Sequence, residues 1–226
     1  MTIPQNIARM IDHTLLKPDS TGEDILKLCA EAVEYGFKAV CVNPSRVSTA
    51  ARALAGTGIV VCAVAGFPLG ASSTAAKSAE AFEAVKSGAA EIDMVINIGL
   101  LKEGKFDLVC RDISSVVEAA AAANPEALVK VIIETCYLTV SEKEDACRIC
   151  ESAGARYVKT STGFGPSGAT VEDVELISRT VSPAMGVKAS GGIKTAAQAL
   201  SMIRAGAARI GTSSGVQIMN EIKKVL

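Results

Sequence analysis

Eight short segments rich in apolar and β-branched residues recur along the chain, and this repeat constrains the fold more than any other feature. The segments begin roughly 28 residues apart, close to the length of one strand plus one crossover helix. Stretches of helical periodicity, rich in Ala, Glu and Lys, lie between them. The predicted strands are Met10–His13, Lys38–Val42, Ile59–Ala65, Glu91–Asn97, Leu128–Glu134, Arg156–Thr160, Met185–Ser190 and Ala208–Thr212. The clearest predicted helices are Glu23–Tyr35, Ser73–Lys86, Lys105–Ala123, Glu142–Ala153 and Thr195–Ala205.

Strands that alternate with helices favour parallel pairing, and a count of eight favours closure. We therefore predict an α/β fold, a single (β/α)8 TIM barrel over residues 1–226, with a doubly wound open sheet as the alternative. Ser141 and Glu144 have the spacing of a helix-capping box. Glycines also follow four of the helical stretches, as glycines at helix C-termini do. These are Gly36, Gly88, Gly154 and Gly206.

The balance of charge excludes several classes of function. The 226 residues include 23 Lys and Arg against 24 Asp and Glu, which gives a net charge of −1 at pH 7. We therefore expect neither nucleic acid nor an acidic membrane surface as a partner. The N-terminus does not resemble a signal peptide, and the longest apolar run is too short to span a bilayer. Seven scattered cysteines indicate a reducing compartment, so we expect a soluble, cytoplasmic protein.

Two sets of potential metal ligands are interpreted as structural. Cys147 and Cys150 have CxxC spacing, but they lie in a predicted helix and no second pair completes a zinc site. His13 is the single histidine of the chain and lies in the first predicted strand. A cluster of several histidines around a metal is therefore excluded. We expect no metal site and no external cofactor.

Charged residues inside predicted strands are the feature that points to chemistry. Asp12, Asp93, Lys130, Lys159 and Lys188 all interrupt segments that should be apolar in a parallel barrel. Such side chains are almost never fully buried without a partner. Their apolar neighbours face the helices, so the charged residues should point into the barrel. Active sites of these barrels lie at the carboxyl ends of the strands, where Asp93, Lys159 and Lys188 can meet.

Two lysines on adjacent strands with one carboxylate allow two interpretations. One is a buried structural ion pair, such as Lys188 with Asp93. The other is catalytic, because two ammonium groups about 5 Å apart repel by roughly 3 kcal/mol at an effective dielectric constant of about 20. That repulsion, together with burial, favours the neutral amine of one lysine near neutral pH. A free amine beside a cation is the arrangement that Schiff-base chemistry requires.

Glycine-rich segments follow the last three predicted strands and predict a phosphate site. They read STGFGPSG, SGGIKT and GTSSG. Glycine lets backbone N–H groups approach an anion, and barrels often bind phosphate after strands seven and eight. Gly163, Gly165 and Gly168 also fit the dinucleotide pattern GxGxxG. However, the acidic residue expected about 20 residues later is replaced by Lys188 and Ser190.

Seven segments of the chain resemble the deoxyribose-phosphate aldolase family. They are IDHTLLKP, AVCVNP, EIDMVINIG, KVIIET, YVKTSTGFG, GVKASGGIKT and GTSSG, which extend from about residue 10 to residue 215. The resemblance implies reversible class I aldol cleavage of 2-deoxy-D-ribose 5-phosphate to glyceraldehyde 3-phosphate and acetaldehyde, a step in deoxyribose catabolism. It also implies a homo-oligomer, a dimer or a tetramer.

The resemblance assigns roles to individual residues. Lys159 is the Schiff-base nucleophile, Lys188 perturbs its pKa, and Asp93 acts with Lys188 in proton transfer. The substrate-binding candidates are Asp12, Thr14, Cys41 and Lys130, although a core role for Cys41 stays open. The phosphate-binding candidates are Thr162, Gly163, Gly191, Gly192, Gly211, Ser213 and Ser214. Phe164 stands where some members carry a lysine, so we expect weaker selectivity for phosphate.

Three other functions remain compatible with the residues alone. A phosphosugar isomerase or epimerase would use the same barrel without a covalent adduct. A second kind of Schiff-base aldolase would act on a ketose phosphate. A non-catalytic barrel would bind a phosphosugar without turning it over.

Overall fold

The computed structural model describes residues 6–224 and shows a closed barrel of eight parallel strands. The strands follow the order of the chain, and the last strand pairs with the first. The strands are β1 (Ile11–Leu15), β2 (Ala39–Val42), β3 (Val60–Ala65), β4 (Glu91–Val95), β5 (Leu128–Ile132), β6 (Tyr157–Lys159), β7 (Gly186–Ser190) and β8 (Arg209–Thr212). The predicted TIM barrel is thus confirmed, while residues 1–5 and 225–226 of the predicted domain lie outside the described part.

Helices cover the outside of the barrel between successive strands. They are α1 (Gly22–Tyr35), α2 (Val47–Ala53), α3 (Thr74–Lys86), α4 (Ile98–Lys102), α5 (Phe106–Ala123), α6 (Val140–Ser152), α7 (Val171–Thr180), α8 (Ala196–Arg204) and α9 (Gly215–Lys223). The five predicted helices correspond to α1, α3, α5, α6 and α8. The four predicted glycines all have positive φ, as the left-handed end of a helix requires.

The capping box of α6 lies two residues before its predicted position. The Thr139 side chain accepts a hydrogen bond from the Glu142 backbone N–H, and the Thr139 N–H donates to the Glu142 carboxylate at 2.7 Å. The prediction of Ser141 and Glu144 was therefore wrong. Both pairs have the same spacing, and the extended backbone of Thr139 decides which of them begins the helix.

Two strands end two residues earlier than the apolar pattern predicts. β4 ends at Val95 because the Asn97 side chain caps α4, where it accepts a hydrogen bond from Leu100 N–H. β5 ends at Ile132, and Glu134 then adopts a left-handed backbone conformation that no strand can contain. Both early ends free polar residues for the mouth of the barrel.

The hydrophobic core lies between the outer surface of the barrel and the helices. Along β4 the fully buried Ile92 and Met94 belong to this core, while Asp93 between them does not. Val129 and Val131 enclose Lys130 in the same way on β5. Alternation along each strand therefore directs apolar residues outward and charged residues inward. The barrel interior is ionic as a result.

Candidate active site

Asp93 is the hub of the charges inside the barrel. Its Oδ2 accepts hydrogen bonds from Lys159 Nζ and Lys188 Nζ, each at 2.7 Å. Its Oδ1 accepts one from Lys130 Nζ at 2.8 Å. Strand register explains this convergence, because Lys159 pairs with Lys188 on β6 and β7, and Asp93 with Lys130 on β4 and β5. The structure therefore brings together the three residues predicted to be catalytic.

Burial and positive neighbours act in opposite directions on Asp93. Burial alone would raise the pKa of its carboxyl group, but the three ammonium groups outweigh this and hold the pKa well below its ordinary value. Asp93 is thus a carboxylate, and both of its oxygens are occupied by cationic donors.

A second layer of charges lies beneath this hub. Asp12 pairs with Lys188 at 2.5 Å and with the Arg209 guanidinium. Glu91 pairs with Lys130 at 2.6 Å and with Arg209 at 2.9 Å. Burial would raise the pKa of Asp12, yet Lys188 and Arg209 lower it to about 2. Burial would likewise lower the pKa of Lys188, but Asp12 and Asp93 raise it well above its ordinary value, so Lys188 is a fixed cation.

The charges of this described cluster do not balance. Its four basic side chains face three carboxylates. The basic members are Lys130, Lys159, Lys188 and Arg209, and the acidic members are Asp12, Glu91 and Asp93. One positive charge therefore remains without a carboxylate, as the sequence interpretation expected for the two lysines with Asp93.

Two cysteines complete the interior on β2 and β3. Cys41 and Cys62 are register partners, and Cys62 Sγ donates to Asp93 Oδ1 at 3.2 Å. The two sulfurs and an Asp93 oxygen lie within 4.8 Å of one another, a spacing that fits a metal ion. The lysines around Asp93 oppose a further cation at this position. Cys41 also packs in a small apolar cluster with Leu16, Val64 and Phe67, which favours the core role left open for it.

A cavity of about 280 Å³ opens above the charged cluster at the carboxyl ends of the strands. Among the cluster's described basic residues, Lys159 alone lines it, with 3% of its surface exposed. Thr14 also lines the cavity. Asp12, Cys41, Lys130 and Lys188 are fully buried and do not line it, so these residues support the floor of the site.

Most of the predicted phosphate residues lie together on one wall of this cavity. They are Thr162, Gly163, Gly191, Gly192, Gly211 and Ser213. Ser214 is the exception, because it lines a separate cleft beside His13. Gly163, Gly191 and Gly192 have positive φ, which glycine adopts at little cost. Ser190, Lys17 and Lys194 line the same cavity and were not among the predicted residues.

The GxGxxG pattern has a packing explanation. A Cβ atom on Gly168 would lie 2.1 Å from the Gly191 carbonyl oxygen, and one on Gly165 would lie 3.0 Å from Cys136 Sγ. These glycines therefore allow the loop after β6 to lie against the loop after β7 and against the end of β5. The close contact brings two phosphate-binding candidates, Gly163 and Gly191, side by side.

Phe164 forms an aromatic edge of the cavity. Its ring packs on that of Phe67 in an edge-to-face arrangement with 5.3 Å between centroids. The side chain is 56% exposed and lines the cavity, so an apolar group stands at the position expected to weaken phosphate selectivity.

The residues interpreted as structural occupy ordinary positions. Cys147 and Cys150 are buried in α6, and burial raises the pKa of Cys147 to about 12 and that of Cys150 well above its ordinary value. Neither thiol is therefore activated. His13 faces away from the barrel interior, and its Nε2 lies 2.7 Å from Glu31.

Sequence reasoning missed two members of the lower layer. Glu91 and Arg209 stand at the first position of β4 and β8, two residues before inward-facing positions at Asp93 and Gly211. Side chains alternate along a strand, so a residue two positions before an inward-facing residue also faces inward. This rule would have predicted both of them. Cys62 escaped notice because an apolar segment with a cysteine resembles any core strand.

A lysine at the foot of a cavity, held by a carboxylate inside a closed parallel barrel, fits the class of TIM-barrel carbon–carbon lyases. Within this class the chain belongs to the DeoC/LacD family of aldolases, whose model matches residues 7–221. It is 59% identical over 219 residues to a deoxyribose-phosphate aldolase of Carboxydothermus hydrogenoformans, covering 97% of this chain and 96% of that protein. It is 58% identical to the one of Thermococcus gammatolerans, with 96% of each chain covered.

A solved structure agrees with this assignment. The tetrameric deoxyribose phosphate aldolase of Aeropyrum pernix superimposes with a TM-score of 0.90 at 35% identity, covering 97% of this chain and 92% of that one.

Over residues 6–224, no helix combines the length and the hydropathy needed to cross a membrane.

Proposed function

We propose that this protein cleaves 2-deoxy-D-ribose 5-phosphate reversibly into D-glyceraldehyde 3-phosphate and acetaldehyde through a Schiff base on Lys159. The observation that carries the proposal is the position of Lys159. Its Nζ bonds the Asp93 carboxylate at 2.7 Å, and its side chain reaches the floor of a cavity whose wall carries glycine-rich loops. Its relatives in Carboxydothermus hydrogenoformans and Thermococcus gammatolerans are deoxyribose-phosphate aldolases, which supports the same substrate.

The charge balance of the cluster favours a nucleophilic amine at this position. Four basic groups face three carboxylates, so loss of one proton makes the described cluster neutral. Among the members described above, Lys159 is the basic residue that borders the cavity. The neutral amine attacks the C1 aldehyde to give a carbinolamine, and loss of water from the carbinolamine with uptake of one proton gives a protonated imine.

The iminium keeps a positive charge where the ammonium was, so Asp93 stabilises it through the same contact. This cation draws electrons from the C2–C3 bond once a base has removed the proton of the C3 hydroxyl. We assign that proton transfer to a water molecule in the cavity, and the buried charges of Asp93 and Lys188 beneath Lys159 direct it. Glyceraldehyde 3-phosphate leaves, the enamine is protonated at C2, and hydrolysis releases acetaldehyde and the free amine.

The phosphate of the substrate would bind at the wall formed by the loops after β6, β7 and β8. Gly163, Gly191 and Gly192 line this wall without a side chain, so their backbone N–H groups can approach an anion. The exposed Lys17 and Lys194 add two positive charges at its rim. They supply positive charge near the phosphate, which the apolar side chain of Phe164 cannot supply.

A product assay tests the proposed function. Incubation with 2-deoxyribose 5-phosphate should release acetaldehyde and glyceraldehyde 3-phosphate in equal amounts, and Lys159→Leu should abolish the release. Lys86→Leu, which removes an exposed lysine at the end of α3, is the matched control and should be fully active. Conversion to an isomeric sugar phosphate without release of acetaldehyde would indicate an isomerase. Binding of 2-deoxyribose 5-phosphate without any conversion would indicate a binding protein.

We further propose that the protein is a homo-oligomer, a dimer or a tetramer, in the cytoplasm. The tetrameric Aeropyrum pernix structure supports self-association. All seven cysteines are free thiols, which suits a reducing compartment. Light scattering coupled to size exclusion tests the first point, because a monomer at micromolar concentration would contradict it. Fractionation of the source cells tests the second.

A further inference from the structure

Glu134 combines an unusual backbone with a buried charge. It is the non-glycine residue with positive φ in the described chain, at φ 50° and ψ 68°. Its side chain is only 3% exposed, although carboxylates are rarely buried without a partner. Residues with side chains hold such a conformation only where their surroundings enforce it, and these positions concentrate at functional sites.

The contacts of the carboxylate explain what enforces this conformation. In residues 6–224, its hydrogen-bond donors all belong to Thr162, on the loop after β6. The Thr162 backbone N–H donates to both carboxylate oxygens, at 3.1 and 3.3 Å, and the Thr162 hydroxyl donates to Oε2. The left-handed turn at the end of β5 therefore directs a carboxylate onto the loop that follows the Schiff-base lysine.

A further hydrogen bond links Thr162 to the loop that forms part of the phosphate wall. Thr162 Oγ1, whose proton goes to Glu134, accepts a hydrogen bond from the Phe164 N–H at 3.0 Å. The backbone N–H and the hydroxyl of Thr162 and the N–H of Phe164 thus all donate to acceptors within the protein. Gly163 lies between these two anchored residues, with φ 86°, and borders the cavity.

We infer that Glu134 is a positioning residue of the phosphate site, and that Thr162 transmits its effect instead of binding phosphate through its hydroxyl. Glu134 fixes the turn Thr162–Gly163–Phe164 so that the Gly163 backbone faces the anion. This role differs from the phosphate contact that the sequence assigned to Thr162. The inference rests on the proposed function, since it names a residue that selects the phosphorylated substrate.

Replacement of the carboxylate by an amide should disturb the phosphate end selectively. Glu134→Gln keeps the size of the side chain but cannot accept both the N–H and the hydroxyl proton of Thr162 with the strength of a carboxylate. We expect KM for 2-deoxyribose 5-phosphate to rise about tenfold or more. Turnover of phosphate-free 2-deoxyribose should stay within about twofold, because Lys159 and Asp93 do not touch Glu134. Glu126→Gln, an exposed change before β5, is the matched control.

Thr162→Val provides a second variant, which decides the question if Glu134→Gln does not fold. It should show the same selective rise in KM. The double variant should be no worse than either single change, because the two residues act as one unit. Additive losses would show that Thr162 contacts the phosphate independently and would overturn the inference. Equal losses on both substrates, or no loss on either, would also overturn it.

Binding of inorganic phosphate separates this inference from the proposed function. Calorimetric titration of the wild-type protein with inorganic phosphate should give a dissociation constant that rises at least tenfold in Glu134→Gln and is unchanged in Glu126→Gln. An unchanged constant in Glu134→Gln contradicts the positioning role. If the wild-type protein releases no acetaldehyde from either sugar, the proposed function fails while this titration still decides the role of Glu134.

Discussion

At the scale of single residues, Lys188 matters through its charge. It lies between Asp12 and Asp93 and does not border the cavity. Without it, the described cluster would hold three basic and three acidic groups, and its excess positive charge would be gone. We therefore expect Lys188 to act on the proposed chemistry without touching the substrate.

Replacement of Lys188 by Met should lower the rate of Schiff-base formation by about 100-fold or more, because the positive charge beside Asp93 and Lys159 is then lost. Stopped-flow measurement of the reaction with acetaldehyde checks this rate. Circular dichroism confirms that the variant is folded. A folded Lys188→Met protein with an unchanged rate would show that the charge balance is irrelevant to the nucleophile.

Phe164 allows a test of phosphate selectivity. Phe164→Lys introduces a cation at the rim of the phosphate wall, so KM for 2-deoxyribose 5-phosphate should fall about threefold to tenfold. The kinetic constants for phosphate-free 2-deoxyribose should not improve. Phe164→Leu serves as the control for loss of the contact with Phe67. Equal gains on both sugars would contradict a phosphate-specific effect.

The site residues that could be predicted are those that break the rule that buried strands are apolar. The site residues that do not break this rule were missed. Asp93, Lys159 and Lys188 each interrupt an apolar strand, and this anomaly predicted their convergence. Glu134 appeared to end a strand in the usual polar way, so nothing in the pattern indicated its left-handed backbone. A backbone angle that depends on the contact with Thr162 cannot be derived from neighbouring residues alone.

At the scale of elements, a buried ion pair joins α3 to α5. Lys77 Nζ lies 2.6 Å from Asp112 Oδ2 and donates to the Val95 carbonyl oxygen at 2.9 Å. The Thr74 hydroxyl donates to the other oxygen of Asp112. The pair fastens two helices to the carboxyl end of β4, the strand that carries Asp93.

Lys77→Met should destabilise the protein by about 3–5 kcal/mol, because Asp112 is then a buried charge without its cation. The double change Lys77→Met with Asp112→Leu should recover most of this loss, since neither charge remains buried. Urea unfolding at pH 7 measures both differences. A single variant within about 1 kcal/mol of the wild type would contradict the assigned role.

Element boundaries were the weakest part of the sequence prediction. The strands and five of the helices were predicted, but the start of α6 depended on a choice between two capping boxes of equal spacing. The ends of β4 and β5 depended on the cap at Asn97 and the turn at Glu134. The caps at Thr139 and Asn97 are local hydrogen bonds, whereas the turn at Glu134 depends on contact with Thr162, which is distant in the sequence.

At the scale of the whole molecule, the ionic interior should make folding stability depend on pH. The pKa of Asp12 is about 2 in the folded protein against an ordinary value of 3.8. A lowered folded-state pKa contributes stability that is fully present above the ordinary value and is lost as the pH falls toward the folded one. For Asp12 alone this loss amounts to about 2 kcal/mol.

Urea unfolding at pH 7, 5 and 3 should therefore give similar free energies at the first two values and a clear decrease at the third. Lys188, whose pKa is raised, acts at the alkaline end. Its contribution is present below the ordinary lysine pKa and is lost as the pH rises beyond it. A free energy of unfolding that is as high at pH 3 as at pH 7 would contradict this account.

The overall architecture was the most predictable property of the chain. A repeat of eight strands and helices in phase admits few closed arrangements, so local sequence patterns sufficed to predict the barrel. The oligomeric state could not be derived in the same way, because exposed residues of a barrel carry no comparable periodicity.

The central claim is that Lys159 forms the Schiff base, and borohydride trapping tests it most directly. The wild-type protein is incubated with acetaldehyde and sodium borohydride, digested and sequenced by mass spectrometry, with Lys159→Leu and Lys86→Leu treated in parallel. We predict one ethylated lysine at the active site, Lys159, in the wild type and in Lys86→Leu, and its loss in Lys159→Leu. An adduct on Lys188 or Lys130, or no adduct while the enzyme turns over substrate, would contradict the account.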